Sequence, residues 1–241
     1  MFITVKKWTI LYVFCLSTLI FCFVAILRHG EAIQTSAAQH ISIFPILILD
    51  PGHGGEDGGA VAQDGTIESH INLAIALKAA EIAKFSGVEI RMTREEDISI
   101  HDESAHSLRE KKVSDLKNRV DLCNSVENGV LISMHQNSLP GAPKVYGAQV
   151  FYNENPGSLE LAQAIQSRLN ETLNTGNPKT IKPIGESSYL MSHVDCPAVL
   201  IECAFLSNTE DTLLVKTDEY QTKLAAVIIS AFADHMADGV K

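Results

Sequence analysis

Four residues carry the chemistry that this sequence can do: His53, Glu68, His135 and Glu202. His53 follows the apolar run Pro45-Ile46-Leu47-Ile48-Leu49 and the turn Asp50-Pro51-Gly52. His135 closes Val130-Leu131-Ile132-Ser133-Met134, and Glu202 closes Ala198-Val199-Leu200-Ile201. Each run reads as a buried strand. If the strands are parallel, their polar ends emerge at one sheet edge, where open α/β proteins hold ligands. Glu68 stands at the start of the helix reached from the first loop. Two neutral imidazoles and a carboxylate form the protein ligand set of many catalytic zinc sites, with one position left open. Such an ion brings the pKa of water near neutrality and polarises a carbonyl. A second carboxylate then has to take the proton of the water and pass it to the leaving amine. His53, Glu68 and His135 are therefore expected to hold Zn2+, and Glu202 to act as general base and acid. Periodicity does not choose between the two glutamates. Placement favours Glu202 without deciding: a buried carboxylate at the end of a strand would have a raised pKa suited to proton transfer, and a structural ion pair is the other reading.

Two rival assignments use the same stretches. His53-Gly54-Gly55-Glu56 mimics the H-x-x-E ligand pair of zinc carboxypeptidases, with Asp57 as a competitor for the histidine. A Cys–His hydrolase built on Cys203 or Cys196 would need a thiolate beside histidine. Neither cysteine heads a helix, and Glu202 would raise the pKa of a neighbouring thiol.

The elements that must position these residues alternate between strand and helix. A helix is expected over 68–84, with Ile71, Ile75 and Ile82 on an apolar stripe, and a strand over 88–92. Residues 95–112 are densely charged and read as a solvated loop or lid. Val113, Leu116, Val120 and Cys123 mark a second helix, and a strand is expected over 148–152. Leu161, Ala162, Ile165 and Leu169 mark a third helix with Ser158 as N-cap. Ser207-Asn208-Thr209-Glu210 matches a capping box. Tyr220, Leu224, Val227, Ile228 and Phe232 give a last amphipathic helix. The expected fold is α/β, a single-domain three-layer sandwich with a mainly parallel or mixed sheet flanked by helices.

The domain is expected over 44–241, after a tether over 30–43. Residues 1–29 hold Lys6-Lys7 and then an uncharged run over 8–27, long enough to span a bilayer as an N-terminal transmembrane helix. The preceding lysines keep the N-terminus cytoplasmic, so the domain is exported and membrane-anchored. Sixteen basic and 29 acidic residues follow His29, a net charge of −13. That balance argues against nucleic acid as a partner. Of the five cysteines, Cys123, Cys196 and Cys203 fall in the exported part without a C-x-x-C spacing, so no disulfide framework or thiolate zinc site is indicated.

These residues resemble the zinc-dependent N-acetylmuramoyl-L-alanine amidases of bacterial cell walls. The resemblance rests on Ile48-Leu49-Asp50-Pro51-Gly52-His53-Gly54-Gly55, Glu68 with Asn72-Leu73, and Met92-Thr93-Arg94. It continues through Asn118-Arg119, Ile132-Ser133-Met134-His135-Gln136-Asn137-Ser138, and Pro197 to Glu202 with Phe205-Leu206-Ser207-Asn208. It implies the same zinc ligands, His53, Glu68 and His135, and the same catalytic Glu202. Ser69 and the pair Cys203-Ala204 depart from the pattern, in positions able to alter what surrounds the ligands. The charged stretch, the single anchor and the absence of wall-binding repeats are similar to the germination-specific, CwlD-type amidases of spore formers. That resemblance implies removal of stem peptides from muramic acid in spore cortex, ahead of muramic-δ-lactam formation. The residues leave open whether an accessory exported protein is a further partner. A vegetative wall amidase, a zinc carboxypeptidase and a catalytically silent wall-binding scaffold are the other readings.

Overall fold

The structure is a computed structural model that describes residues 16–18, 20, 45–185 and 188–238. Six strands form one sheet: β1 (Ile46–Pro51), β2 (Ile90–Met92), β3 (Gly129–Asn137), β4 (Gln149–Tyr152), β5 (Lys182–Pro183) and β6 (Ala198–Phe205). The order is β2-β1-β3-β6-β4-β5. The first four in that order run parallel, and β1, β3 and β6 have the continuous apolar character of parallel strands buried on both faces. β4 pairs antiparallel with β6, and β5 follows β4, so the sheet is mixed.

The helices are α1 (Glu68–Phe85), α2 (Leu108–Asn124), α3 (Ser158–Thr172), α4 (Tyr189–His193), α5 (Thr209–Val215) and α6 (Asp218–Asp238). The larger core packs α1, α3 and α6 against Leu47, Leu49, Ile132, Met134, Val199 and Ile201. The smaller core packs α2 and α4 against Ile48, Leu131, Ala198 and Leu200. Successive strand residues point to opposite faces. On the smaller face the series therefore runs Ile48 then Asp50, Leu131 then Ser133 then His135, and Leu200 then Glu202. That face is apolar at one end of the sheet and polar at the other, which is where chemistry can sit.

Several expectations need correction. The start of α2 lies within the stretch expected as loop: Ser107 accepts from Glu110 N and the Glu110 carboxylate returns to the Ser107 backbone, a complete capping box. Arg109, Glu110 and Lys112 are charged and exposed, so no apolar stripe announced that turn. Ser158 does not cap α3. Gly157 precedes that helix in the left-handed region at φ 92°, and the Ser158 hydroxyl joins Asn153 Oδ1 at 2.5 Å and Ala198 N at 2.9 Å. The cap of α5 is Asn208, which accepts from Asp211 N, while Ser207 Oγ accepts from Leu139 N. The strand β5, of two residues, and α4, of five, are too short to be read from periodicity.

The chain divides into two compact units, Met1–Ile43 and Phe44–Lys241. Among the described residues no helix is long and apolar enough to cross a membrane. Of the run 8–27 expected to do so, only 16–18 and 20 are described, and the tether over 30–43 lies outside the described residues.

Candidate metal centre

His53 sits two residues past β1, in a loop that holds it at φ 62°, a strained conformation for a non-glycine residue. Three interactions sustain that strain. Gly54 and Asp57 exchange backbone hydrogen bonds of 2.9 and 3.2 Å, and Arg119 Nη2 donates to His53 O at 2.8 Å. The Arg119 guanidinium also binds Asp50, Asp115 and the Pro51 carbonyl. Arg94 donates to the Pro51, Gly52 and Ser69 carbonyls at 2.9–3.1 Å. Two buried arginines thus clamp the loop that presents the histidine. Asp50, between Arg119, Ser133 and Thr93, is fully buried; burial would raise its pKa, but these partners hold it down at about 2.

β3 brings His135 alongside. The sheet register pairs His135 with Glu202 across β3 and β6, and a bulge follows between His135 and Asn137. His135 and Glu202 therefore lie within their strands rather than at the ends, as the apolar runs alone suggested. Glu68, at the first turn of α1, reaches across from the larger face. Its Oε1 lies 3.0 Å from His135 Nδ1 and 3.3 Å from His53 Nε2. The same carboxylate accepts from Ala60 N at 2.7 Å, Gln136 N at 3.0 Å and Asn72 Nδ2 at 3.3 Å, so its position is over-determined. The two imidazoles meet edge to face, with centroids 5.0 Å apart.

Two glycines of the loop, Gly52 and Gly59, are explained by these side chains. A Cβ on Gly52 would fall 2.2 Å from His135 Cε1 and Nε2, and one on Gly59 would fall 2.5 Å from Glu68 Oε2. What approaches the bare backbone is the protein's own imidazole and carboxylate. Since Gly52 lies outside the left-handed region, Gly52→Ala should fold but push His135 aside. We expect metal affinity to drop at least tenfold in a competition titration with a chromophoric chelator. Gly141→Ala, with nothing within 4 Å of its added carbon, should leave affinity unchanged.

One donor atom from each of His53, Glu68 and His135 lies within 4.8 Å of the others, the one such group of three found among the described residues. Donors about 2.0–2.1 Å from a tetrahedral ion stand about 3.4 Å from one another. The two carboxylate–imidazole separations match that spacing, and the donor set is the one a catalytic divalent ion takes, so the residues fit the ion. His53 Nδ1, turned from the cluster, rests 3.0 Å from Asp57 Oδ2, which fixes the ring and leaves Nε2 facing the other donors. Donors this close need positive charge among them. Burial lowers the His53 pKa, but Asp57 and Glu68 outweigh it and raise it to about 9. Burial likewise acts to raise Glu68, and the two imidazoles hold it far below the usual carboxylate range.

Glu202 contrasts with Glu68. Burial pushes its carboxyl up to about 7, the Glu68 charge adds to that, and the imidazoles only partly oppose it. Its Oε2 is buried without a hydrogen-bond partner. It lines a cleft of about 330 Å³ together with His53, Asp57, His135, Ser188 and Tyr189.

The rival assignments find no support in this geometry. Glu56 is exposed and pairs with Lys111 Nζ at 2.8 Å, and it is Asp57 that meets His53. Cys203 lies in the larger core and Cys196 is partly buried, and burial raises both thiols, so neither offers a thiolate. Sequence reasoning gave Asp57 only as a competitor of Glu56 for the histidine, and assigned no role to Asn72, Arg94, Arg119 or Gln136. Four of these lay inside the quoted motif segments, and a polar residue next to a ligand motif was the available signal. Ser69, one of the departures, is buried, and its backbone carbonyl accepts from Arg94.

The chain is similar to known proteins over most of its length. The family model described as N-acetylmuramoyl-L-alanine amidase matches residues 47–234. The chain is 37% identical over 184 residues to the germination-specific N-acetylmuramoyl-L-alanine amidase of Bacillus subtilis (strain 168), covering 76% of each chain. It is 26% identical to the N-acetylmuramoyl-L-alanine amidase AmiA of Escherichia coli (strain K12), covering 76% of this chain and 73% of that one. Among solved structures it resembles the CwlD amidase of Clostridioides difficile, determined in complex with the GerS lipoprotein. The TM-score is 0.77 at 36% identity, over 80% of this chain and 99% of that one.

Proposed function

The chain belongs to the N-acetylmuramoyl-L-alanine amidase family and is a peptidoglycan amidase; on that premise we propose that it works as a zinc enzyme through His53, Glu68, His135 and Glu202. The observation that carries this reading is the convergence of three metal-type donors with a buried, unpartnered carboxylate in one cleft.

His53 Nε2, Glu68 Oε1 and His135 Nδ1 would hold the ion. When bound, zinc supplies Lewis-acid polarisation of the amide carbonyl and lowers the pKa of water. Glu202 Oε2, free of protein partners, takes the proton released as water attacks the amide carbon and delivers it to the departing alanine nitrogen. Its raised pKa suits it to both halves of that transfer. Asp57 keeps the His53 ring aligned, while Arg94 and Arg119 hold the loop carbonyls so that the imidazole does not drift.

We further infer a spore-cortex role, in which stem peptides are removed ahead of muramic-δ-lactam formation. The support is the similarity to the germination-specific amidase and to the CwlD structure. Because that neighbour was determined with a lipoprotein, an exported accessory protein is the expected partner here. The substrate lies outside the cytoplasmic membrane, so the catalytic domain acts there, and the run over 8–27 is proposed as its anchor. A vegetative role in wall turnover is the alternative reading.

Mass spectrometry of purified peptidoglycan digested by the zinc-loaded chain tests the reading. Intact stem peptides beginning at L-alanine are expected. Release of single terminal amino acids would overturn it in favour of a carboxypeptidase. For the spore role, loss of the gene should remove muramic-δ-lactam from cortex while dividing cells still separate.

A further inference from the structure

Resting on the amidase reading, we propose that Lys112 binds a carboxylate of the stem peptide and so sets which peptides the enzyme accepts. The walls of the metal-site cleft are acidic, with Asp50, Asp57, Asp115 and Glu202, and their cations are Arg119 and Lys112. Arg119 is buried, and its N–H groups are committed to Asp50, Asp115 and the Pro51 and His53 carbonyls. Lys112 differs. Its side chain is 54% exposed, and its ammonium lies 3.1 Å from Asp57 Oδ2. An ammonium has three donors, so the Asp57 contact leaves donors for a ligand.

The surroundings make this cation distinctive. The chain after His29 carries a net charge of −13, so attraction of an anionic ligand has to be local. Beside the cleft lies a recess of about 150 Å³ that shares Asp57, Lys112 and Asp115 with it. Lys111, also on that recess, is held by Glu56. Lys112 thus stands on the partition between the metal site and a space the size of one small residue. In peptidoglycan the residue after L-alanine is a γ-linked glutamate whose α-carboxyl is either free or amidated. A free carboxylate accepts a charge-assisted hydrogen bond from an ammonium, and a carboxamide offers no charge.

The test uses the full-length zinc-loaded chain and two synthetic muramyl peptides that differ only in that α-carboxyl, free or amidated. Wild type should prefer the free form by about fivefold in kcat/KM, chiefly through KM. Lys112→Met should bring the ratio to about one, Lys112→Arg should restore most of it, and all three proteins should hold equal zinc. Equal use of both substrates by wild type would overturn the proposal, as would a ratio that survives Lys112→Met. A Lys112→Met protein that loses zinc and keeps the ratio would make Lys112 a positioning residue for Asp57 and would also overturn it. If wild type turned over neither substrate, the amidase reading would fall, and this proposal with it.

Discussion

Stripping the divalent ion should take peptide release from peptidoglycan down by at least about a thousandfold, and added zinc should restore it. The size follows from what the ion supplies: several kcal/mol of charge stabilisation as the amide is attacked. The donors cannot replace it, because without the ion they satisfy one another, Glu68 Oε1 lying 3.0 and 3.3 Å from the two imidazoles. The ion has to displace the proton that Asp57 and Glu68 stabilise on His53, whose pKa is raised to about 9. Binding therefore releases a proton, and apparent affinity should climb from pH 7 to about pH 9 and level off above it. His53→Ala or His135→Ala should fold, fail to retain zinc, and match the chelated wild type in rate. Retained zinc and activity in either variant would remove that histidine from the centre.

Replacing Glu202 should have the next largest effect, and in opposite directions for activity and stability. Glu202→Gln keeps the shape but cannot accept a proton, so kcat should fall by about 10²–10⁴ while zinc content holds. The folded carboxyl is raised to about 7 from an ordinary 4.5 by burial, so the fold holds a proton that the unfolded chain has lost across that window. Stability of the metal-free chain therefore declines as pH rises from 4.5 towards 7, where the carboxylate becomes charged without a partner on Oε2. Glutamine removes that slope. At pH 8 the metal-free variant should be more stable than wild type by up to roughly 3 kcal/mol, read by urea unfolding. A variant that is both active and no more stable would deny Glu202 its role.

Much of this was legible in the residues, for a physical reason. Parallel strands buried on both faces must be continuously apolar, so Ile46 to Leu49, Val130 to Ile132 and Ala198 to Ile201 declare themselves, and the histidine or glutamate within a few residues of each run, His53, His135 and Glu202, stands out. Glu68 was legible as the start of a helix with a clean apolar stripe. What supports these residues was not legible. Arg119 beneath the loop and Gln136 beside Glu68 are contacts between distant stretches, and a period of two or 3.6 carries no trace of them; Asp57 and Asn72 stand only four residues from His53 and Glu68, but no apolar period marks them. The α2 start was hidden because Arg109, Glu110 and Lys112 face solvent, while Ser107 and Glu110 did announce it to a search for capping boxes. The bareness of Gly52 and Gly59 has its cause in the same distant contacts: a Cβ at either would collide with His135 or Glu68.

The most direct test is anomalous diffraction at the zinc edge from crystals of the active enzyme. The predicted result is a peak about 2.0–2.1 Å from His53 Nε2, Glu68 Oε1 and His135 Nδ1, with Glu202 uncoordinated beside it. A peak on other residues, or no peak from crystals whose protein cleaves peptidoglycan, would contradict it.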